Sequence, residues 1–187
     1  MELFVHHVLG RIALDRDTQS AARQAMTSNH GEGRTPVTGS AACLLARVGS
    51  RTCAVPVELI SETMRPLPIE PLAGMPSFVL GLSVVRGAPV PVIDAARMLG
   101  IADAAPPGRF VSLRIGARVA VLAVSAVLGV RTITRDSLES LPPLVGEASA
   151  DFVEAIGTLD SGLLLILRTG RIVPPSVWAA LDAEHPS

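Results

Sequence analysis

The sequence predicts an all-β fold: a pair of similar small β subdomains whose five short strands each suggest barrels, with short helices attached. Three observations carry that expectation. Small turn residues separate short apolar runs four times over, which is hairpin grammar. The later part of the chain repeats the earlier part in the order hairpin, proline-rich loop, hairpin. Pro66, Pro68, Pro71, Pro76, Pro106, Pro107, Pro142 and Pro143 punctuate the loops and exclude long helices there.

The first 40 residues differ from the rest. In "MELFVHHVLGRIALDRDTQSAARQAM", Val5, Val8, Leu9 and Ile12 recur at helical spacing. The following "TSNHGEGRTPVTGS" reads as a polar, glycine-containing linker. Residues 1–40 are therefore expected to be an extension, a helix plus a linker. The compact domain is expected over 41–178, divided near 105/106 into subdomains 41–105 and 106–178, with 179–187 as a tail.

Within that domain the strands come in pairs. "ACLLARV" turns at "GS" into "RTCAVPVELI", and "FVLGLSVV" turns at "RG" into "APVPVIDAA". "RFVSLRI" turns at "GA" into "RVAVLAVSAVLGV", and "DFVEAIGTL" turns at "DSG" into "LLLILRT". In the first hairpin Leu44, Ala46, Cys53 and Val55 fall on one face and Arg47 and Thr52 on the other, as a half-buried antiparallel pair requires. "LLLILR" does not alternate, so that strand is expected to be buried on both faces between the subdomains. Two short helices are expected, "DAARMLG" with Asp94 as its cap, and "PSVWAALDA".

The repeat holds residue by residue. Residues 47–60 lie over 114–127, and 78–99 over 152–173, pairing Phe78 with Phe152, Val79 with Val153 and Arg97 with Arg171. Two copies make a pair of similar small β units and not a solenoid. A two-residue turn at Gly49-Ser50 sets Cys53 opposite Ala46 and Cys43 opposite Pro56. The only two cysteines are then not neighbours, and two buried free thiols are expected.

Composition excludes several function classes. The chain has 187 residues, is 49% hydrophobic and carries a net charge of −1, enough apolar mass for a core and no footprint for nucleic acid. No apolar run reaches the length of a membrane helix, and the N-terminus lacks a basic signal-peptide start, so no membrane insertion is expected. His6, His7, His30 and His185 all lie outside the β part, which argues against a histidine base or a metal site. Nucleophile-elbow, P-loop, zincin and C-x-x-C motifs are absent. Asp151, Glu154 and Asp160 read as loop and turn residues. With neither Lys nor Tyr, Schiff-base and phenol chemistry are excluded, and no catalytic residue or cofactor is expected. What remains are polar turn tips on an apolar scaffold, Arg51, Arg86, Arg118 and Asp160, a placement suited to recognition.

The stretch "FVLGLSVVRGAPVPVIDAARMLG" resembles the CheW-like domain family, whose hairpin motif has the form G-V-I-N-L-R-G-x-V-V-P-V-I-D-L-R. Gly81, Arg86, Gly87, Val90, Pro91, Val92, Ile93, Asp94 and Arg97 fit it. "GSRTCAVPVELISETMR", "VAVLAVSAVLGV" and the last hairpin are similar to other family segments, and the resemblance covers about residues 41–175. It implies two SH3-like five-stranded barrels packed around a shared apolar core, and a cytoplasmic, non-catalytic adaptor, associated through its partners with receptor arrays. Its implied partners are the cytoplasmic tip of a chemoreceptor and the regulatory domain of a CheA-type histidine kinase. A flagellar, pilus-based or other chemosensory array is equally compatible. A sensor or enzyme using the groove between barrels would instead need a pocket with convergent polar groups.

By the same resemblance Arg86, with Val85 and Gly87 beside it, is a partner-binding residue; the alternatives are a solvated turn residue or one that pins its own turn by bonding local carbonyls. Ile60, Glu62 and Met64, in the strand leaving the first hairpin, would suit a partner if exposed, with Ile60 alternatively a core residue. Gly81 and Asp94 are expected to fix turn and cap geometry. The chain departs from the family motif at Ser83 and Val84, and at Ser125, where the family has Asp.

Overall fold

A computed structural model of the chain describes residues 39–101, 105–134, 137–139 and 151–184. The expected helix and linker before residue 39, all four histidines and the loop at 140–150 lie outside the described residues. The strands are β1 (Ser40–Val48), β2 (Arg51–Pro56), β3 (Ile60–Met64), β4 (Val79–Val85), β5 (Ala88–Asp94) and β6 (Arg109–Ile115). They continue with β7 (Arg118–Val124), β8 (Ala126–Thr134), β9 (Leu138–Glu139), β10 (Val153–Leu159) and β11 (Gly162–Leu167). Helix α1 (Ala95–Met98) follows β5, and α2 (Pro175–Glu184) ends the described chain. No helix among the described residues is long and apolar enough to cross a membrane.

The fold is mainly β, in two sheets. Sheet A has six strands in the order β8-β1-β2-β11-β10-β9, and sheet B has five in the order β3-β6-β7-β5-β4. The expectation of five strands each is met in sheet B, while short β9 adds a sixth to sheet A.

All four expected hairpins form, but two long apolar runs do not stay single. "RTCAVPVELI" breaks at a 3-10 turn, Val57–Leu59, and "RVAVLAVSAVLGV" breaks at Ser125. At each break the chain crosses from one sheet to the other. The two breaks occupy equivalent places in the repeat. Sheet B is therefore one continuous stretch, 60–124, inserted between the β1–β2 hairpin and β8 of sheet A. The 105/106 division follows the sequence repeat and not the sheets, because the two halves exchange their first hairpins. Parallel pairings seal the exchange, β2 with β11 and β5 with β7.

Hydrogen bonds clamp both crossings. The Ser125 amide donates to Arg47 O at 2.9 Å, and its Oγ accepts from Gly49 N at 3.1 Å. The Arg114 guanidinium donates to Glu58 O at 2.7 Å.

Three apolar clusters fill the layers. The largest lies between the sheets and takes Leu44, Ala46, Cys53 and Val55 from the first hairpin and Val111, Leu113 and Leu122 from sheet B. A second gathers Cys43, Leu45, Ala54, Leu164 and Ile166 on the other face of sheet A, and a third gathers Val85, Val90, Val92, Phe110 and Val121 on the other face of sheet B. Strand β11 sends Leu165 and Leu167 into the shared core and Leu164 and Ile166 the other way. That explains why "LLLILR" lacks alternation. The first hairpin has the expected register, Cys53 opposite Ala46 and Cys43 opposite Pro56, and both cysteines are free and buried.

The repeat is visible in the bonding. Phe78 and Phe152 meet edge to face, 5.4 Å between ring centroids. Asp94 N donates to Phe78 O at 2.7 Å, and Arg168 N donates to Phe152 O at 2.8 Å, at matching positions.

Candidate functional site

Strands β4 and β5 join through Arg86 and Gly87, whose φ values are +53° and +83°. Positive φ at both central residues makes a type I′ turn, the form that matches strand twist. Glycine adopts it freely, but arginine seldom does. Arg86 is held there by its far end. Its Nε donates to Glu62 Oε1 at 2.7 Å and its Nη2 donates to Glu62 Oε2 at 3.0 Å, a bidentate, charge-assisted pair. The hydrogen bond to Glu62, and then the carboxylate's charge, raise the arginine's pKa.

Glu62 lies on β3 and Arg86 beyond the end of β4, and these are the opposite edges of sheet B. Four strand spacings in a flat sheet would separate them by about 19 Å. The pair forms because the sheet curls until its edges approach. A second link reinforces the curl. Glu70, in the loop after β3, exchanges two backbone bonds with Leu82 of β4, each 2.8 Å. Gly81 permits that approach. Its φ is +137°, and a Cβ there would overlap the Glu70 carbonyl. At the end of β5, Asp94 Oδ1 accepts from Ala96 N at 2.9 Å and Arg97 N at 3.1 Å, the expected cap of α1.

The expected surface residues divide. Arg86 and Gly87 are exposed, Glu62 is half-buried and bonded to Arg86, and Met64 is half-buried against the third cluster. One expectation is corrected: Val85 is 7% exposed and packs in the third cluster, so it offers a partner little surface, while Ile60, 5% exposed in the shared core, takes the core alternative. Alternation explains Val85, because its neighbour takes the outward place. That neighbour, Val84, is 66% exposed, a large apolar side chain beside the Arg86–Glu62 pair. Sequence reasoning noted Val84 only as a departure, although the period of two along β4 marks it as outward. The other departure, Ser83, points inward, and its buried Oγ has no hydrogen-bond partner among the described residues.

A second feature is a cleft of about 750 Å³ beside α2, lined by Phe152, Val173, Pro174, Trp178 and Ala179 with Arg118 and Arg171 at its edges. Each arginine faces a carboxylate. Arg118 Nη2 donates to Asp182 Oδ2 at 2.9 Å and its guanidinium stacks 5.1 Å from the Trp178 ring centre, while Arg171 lies 3.7 Å from Asp151. Arg118 is thereby engaged within the molecule. Among the described residues no group of three or more His, Cys, Asp or Glu could hold a metal. Burial pushes the Cys43 thiol up to about 11, with Glu58 adding to it, and the Cys53 thiol up to about 12 against the opposing charge of Arg51. Neither suits a nucleophile.

Comparison with known proteins shows the family and the fold. Residues 42–175 match the CheW-like domain. Protein FrzA of Myxococcus xanthus is 36% identical over 136 residues, 67% of this chain and 84% of FrzA. The chemotaxis protein CheW of Rhizobium meliloti (strain 1021) is 25% identical over 130 residues, 68% of this chain and 84% of that protein. The scaffolding protein TtCheW of Thermoanaerobacter tengcongensis has the same fold, with a TM-score of 0.62, 24% identity, and coverage of 72% of this chain and 98% of its own. A curled sheet closed by the motif arginine, built on the motif's own glycine and aspartate, and matched over most of its length, assigns this chain to the CheW-like domain family.

Proposed function

We propose that this chain is a non-catalytic adaptor of a chemosensory system, coupling chemoreceptors to a CheA-type histidine kinase. The observation that carries the proposal is the Arg86 tip. A strained turn is locked by a bidentate pair to the opposite sheet edge, and the lock presents exposed Val84 and the exposed arginine face on one rigid rim. Rigid presentation of a few anchors lowers the ordering cost of binding. It needs no reacting group, and the buried, strongly protonated thiols supply none.

In this reading the receptor's helical tip and the kinase's regulatory domain are the two partners, bound in the cytoplasm at receptor arrays. A helix docks in an apolar groove through anchors one turn apart, with a rim charge fixing its direction. The test is co-sedimentation of the purified chain with receptor cytoplasmic fragments and the kinase of the same organism, with kinase activity read in the ternary mixture. Binding to both, with receptor-dependent kinase control, is expected. Binding to neither overturns the reading.

A further inference from the structure

The cleft beside α2 has walls that ask for an apolar occupant. Phe152, Val173, Pro174, Trp178 and Ala179 line it, together with Arg118, Arg171 and their carboxylate partners. Its charges are already matched in pairs, Arg118 with Asp182 and Arg171 with Asp151, so a charged ligand would have to break a pair to gain one. Among the described residues the one buried side-chain polar atom without a partner is Ser83 Oγ, which is not in this lining.

The chain itself supplies a candidate for it. Residues 1–38 precede the described part, and 1–26 contain the apolar series Val5, Val8, Leu9 and Ile12. The point at which they join is close to the cleft. Cys43 of β1 pairs with Pro56 of β2, β2 runs parallel beside β11, and Arg168 at the end of β11 bonds Phe152. Crossing from β1 to β10 at that end of sheet A takes three strand spacings, about 14 Å. Ser40 begins β1 at the same end. Residues 27–38 reach up to about 40 Å when extended, so the tether spans the gap with length to spare. A tethered segment also meets its site at a high effective concentration, which favours even a weak apolar contact.

We infer that the cleft beside α2 is a docking site for an amphipathic helix, and that the chain's own segment 1–26 occupies it through Val5, Val8, Leu9 and Ile12. The inference is independent of the adaptor reading, since it concerns a contact within one chain.

Trp178 is the sequence's single tryptophan and lines the cleft, so the intact chain carries its own reporter. Its fluorescence and acrylamide quenching are to be compared in the full chain and in the Val8→Asp/Leu9→Asp variant. These substitutions lie outside the β domain. The variant is expected to emit at longer wavelength and to be quenched more strongly, at every protein concentration. A second measurement pairs Ala179→Cys with Leu9→Cys or Ile12→Cys, and a monomeric cross-link in dilute solution is expected from at least one pair. Identical emission and quenching in the two chains, together with no cross-link, overturns the inference. A cross-link found only in dimers, or protection that fades on dilution, also overturns it and assigns the contact to a second copy.

Discussion

The β4–β5 tip and the β10–β11 tip occupy equivalent places in the internal repeat, and their difference is instructive. Both are type I′ turns. Arg86 and Gly87 have φ of +53° and +83°, and Asp160 and Ser161 have +49° and +64°. The first hairpins of the two halves are equally alike, each with a glycine of positive φ leading its turn, Gly49 at +58° and Gly116 at +63°. The backbone solution is therefore shared, and the side chains diverge. Aspartate tolerates the left-handed region through its short polar side chain, and Asp160 has no ion-pair partner among the described residues. Arginine has no such excuse. At the first tip the conformation is upheld by Glu62, from the far edge of the sheet. One tip is only a turn, while the other is a turn that also fastens a surface.

The sharpest way to break the comparison is at the paired bulges. Gly81 and Ala155 are equivalent, and each follows a register shift at the start of its strand. Gly81→Ala must displace Glu70 and is expected to cost about 3 kcal/mol or more in denaturant unfolding. Ala155→Gly should cost only about 0.5–1 kcal/mol, the ordinary glycine penalty. Equal losses would show that the Glu70 approach does not set the first half apart.

Partner binding should separate the tips next. Arg86→Ala is expected to abolish most receptor or kinase binding in co-sedimentation, and Asp160→Ala to leave it unchanged. Glu62→Ala should mimic Arg86→Ala, and the double variant should be no worse than either single one. Additive losses would mean that the two residues act separately.

A smaller effect tests the crossing between sheets. Ser125→Ala leaves Gly49 N without its acceptor and should cost about 1–2 kcal/mol, read as a lower denaturation midpoint with unchanged slope.

The smallest effect is silent at neutral pH. Both thiols have folded pKa values raised above 9.0, to about 11 and about 12, so the unfolded chain ionises first. The stability they contribute is whole below about pH 9 and is lost as pH rises through 11 and 12. Cys53→Ala should flatten that alkaline decline in unfolding midpoints, and Cys43→Ala should flatten it less.

Local features were legible in the sequence because their causes are local. The four turns, the opposition of Cys53 and Ala46, the Asp94 cap and the two-sided burial of "LLLILR" each follow from a few neighbouring residues. The strand crossings were not legible. A break at Ser125 inside "RVAVLAVSAVLGV" costs a β-rich run nothing that composition reveals, and the parallel pairing of β2 with β11 links residues more than a hundred positions apart. The site was half legible. Arg86 and Glu62 each stood out, but their bond across the curled sheet depends on a closure that no local pattern encodes. Val85 was misplaced, and Ile60 left open, because apolar strand residues read alike until the register is known.

The insertion of sheet B within sheet A also orders events in time. As the chain leaves the ribosome, every strand of sheet B is present once Val124 has emerged, and its longest wait is that of β3 for β6, across the β4–β5 hairpin. The β1–β2 hairpin appears first of all, yet its flanking partners, β8 and β11, are made only after the whole of sheet B. Closing that span carries the entropy of a long loop, so sheet A is expected to be the slow and late step of folding. Until then the apolar face of the first hairpin has only sheet B to cover it, which makes the early-formed sheet the template on which the rest of the molecule is assembled.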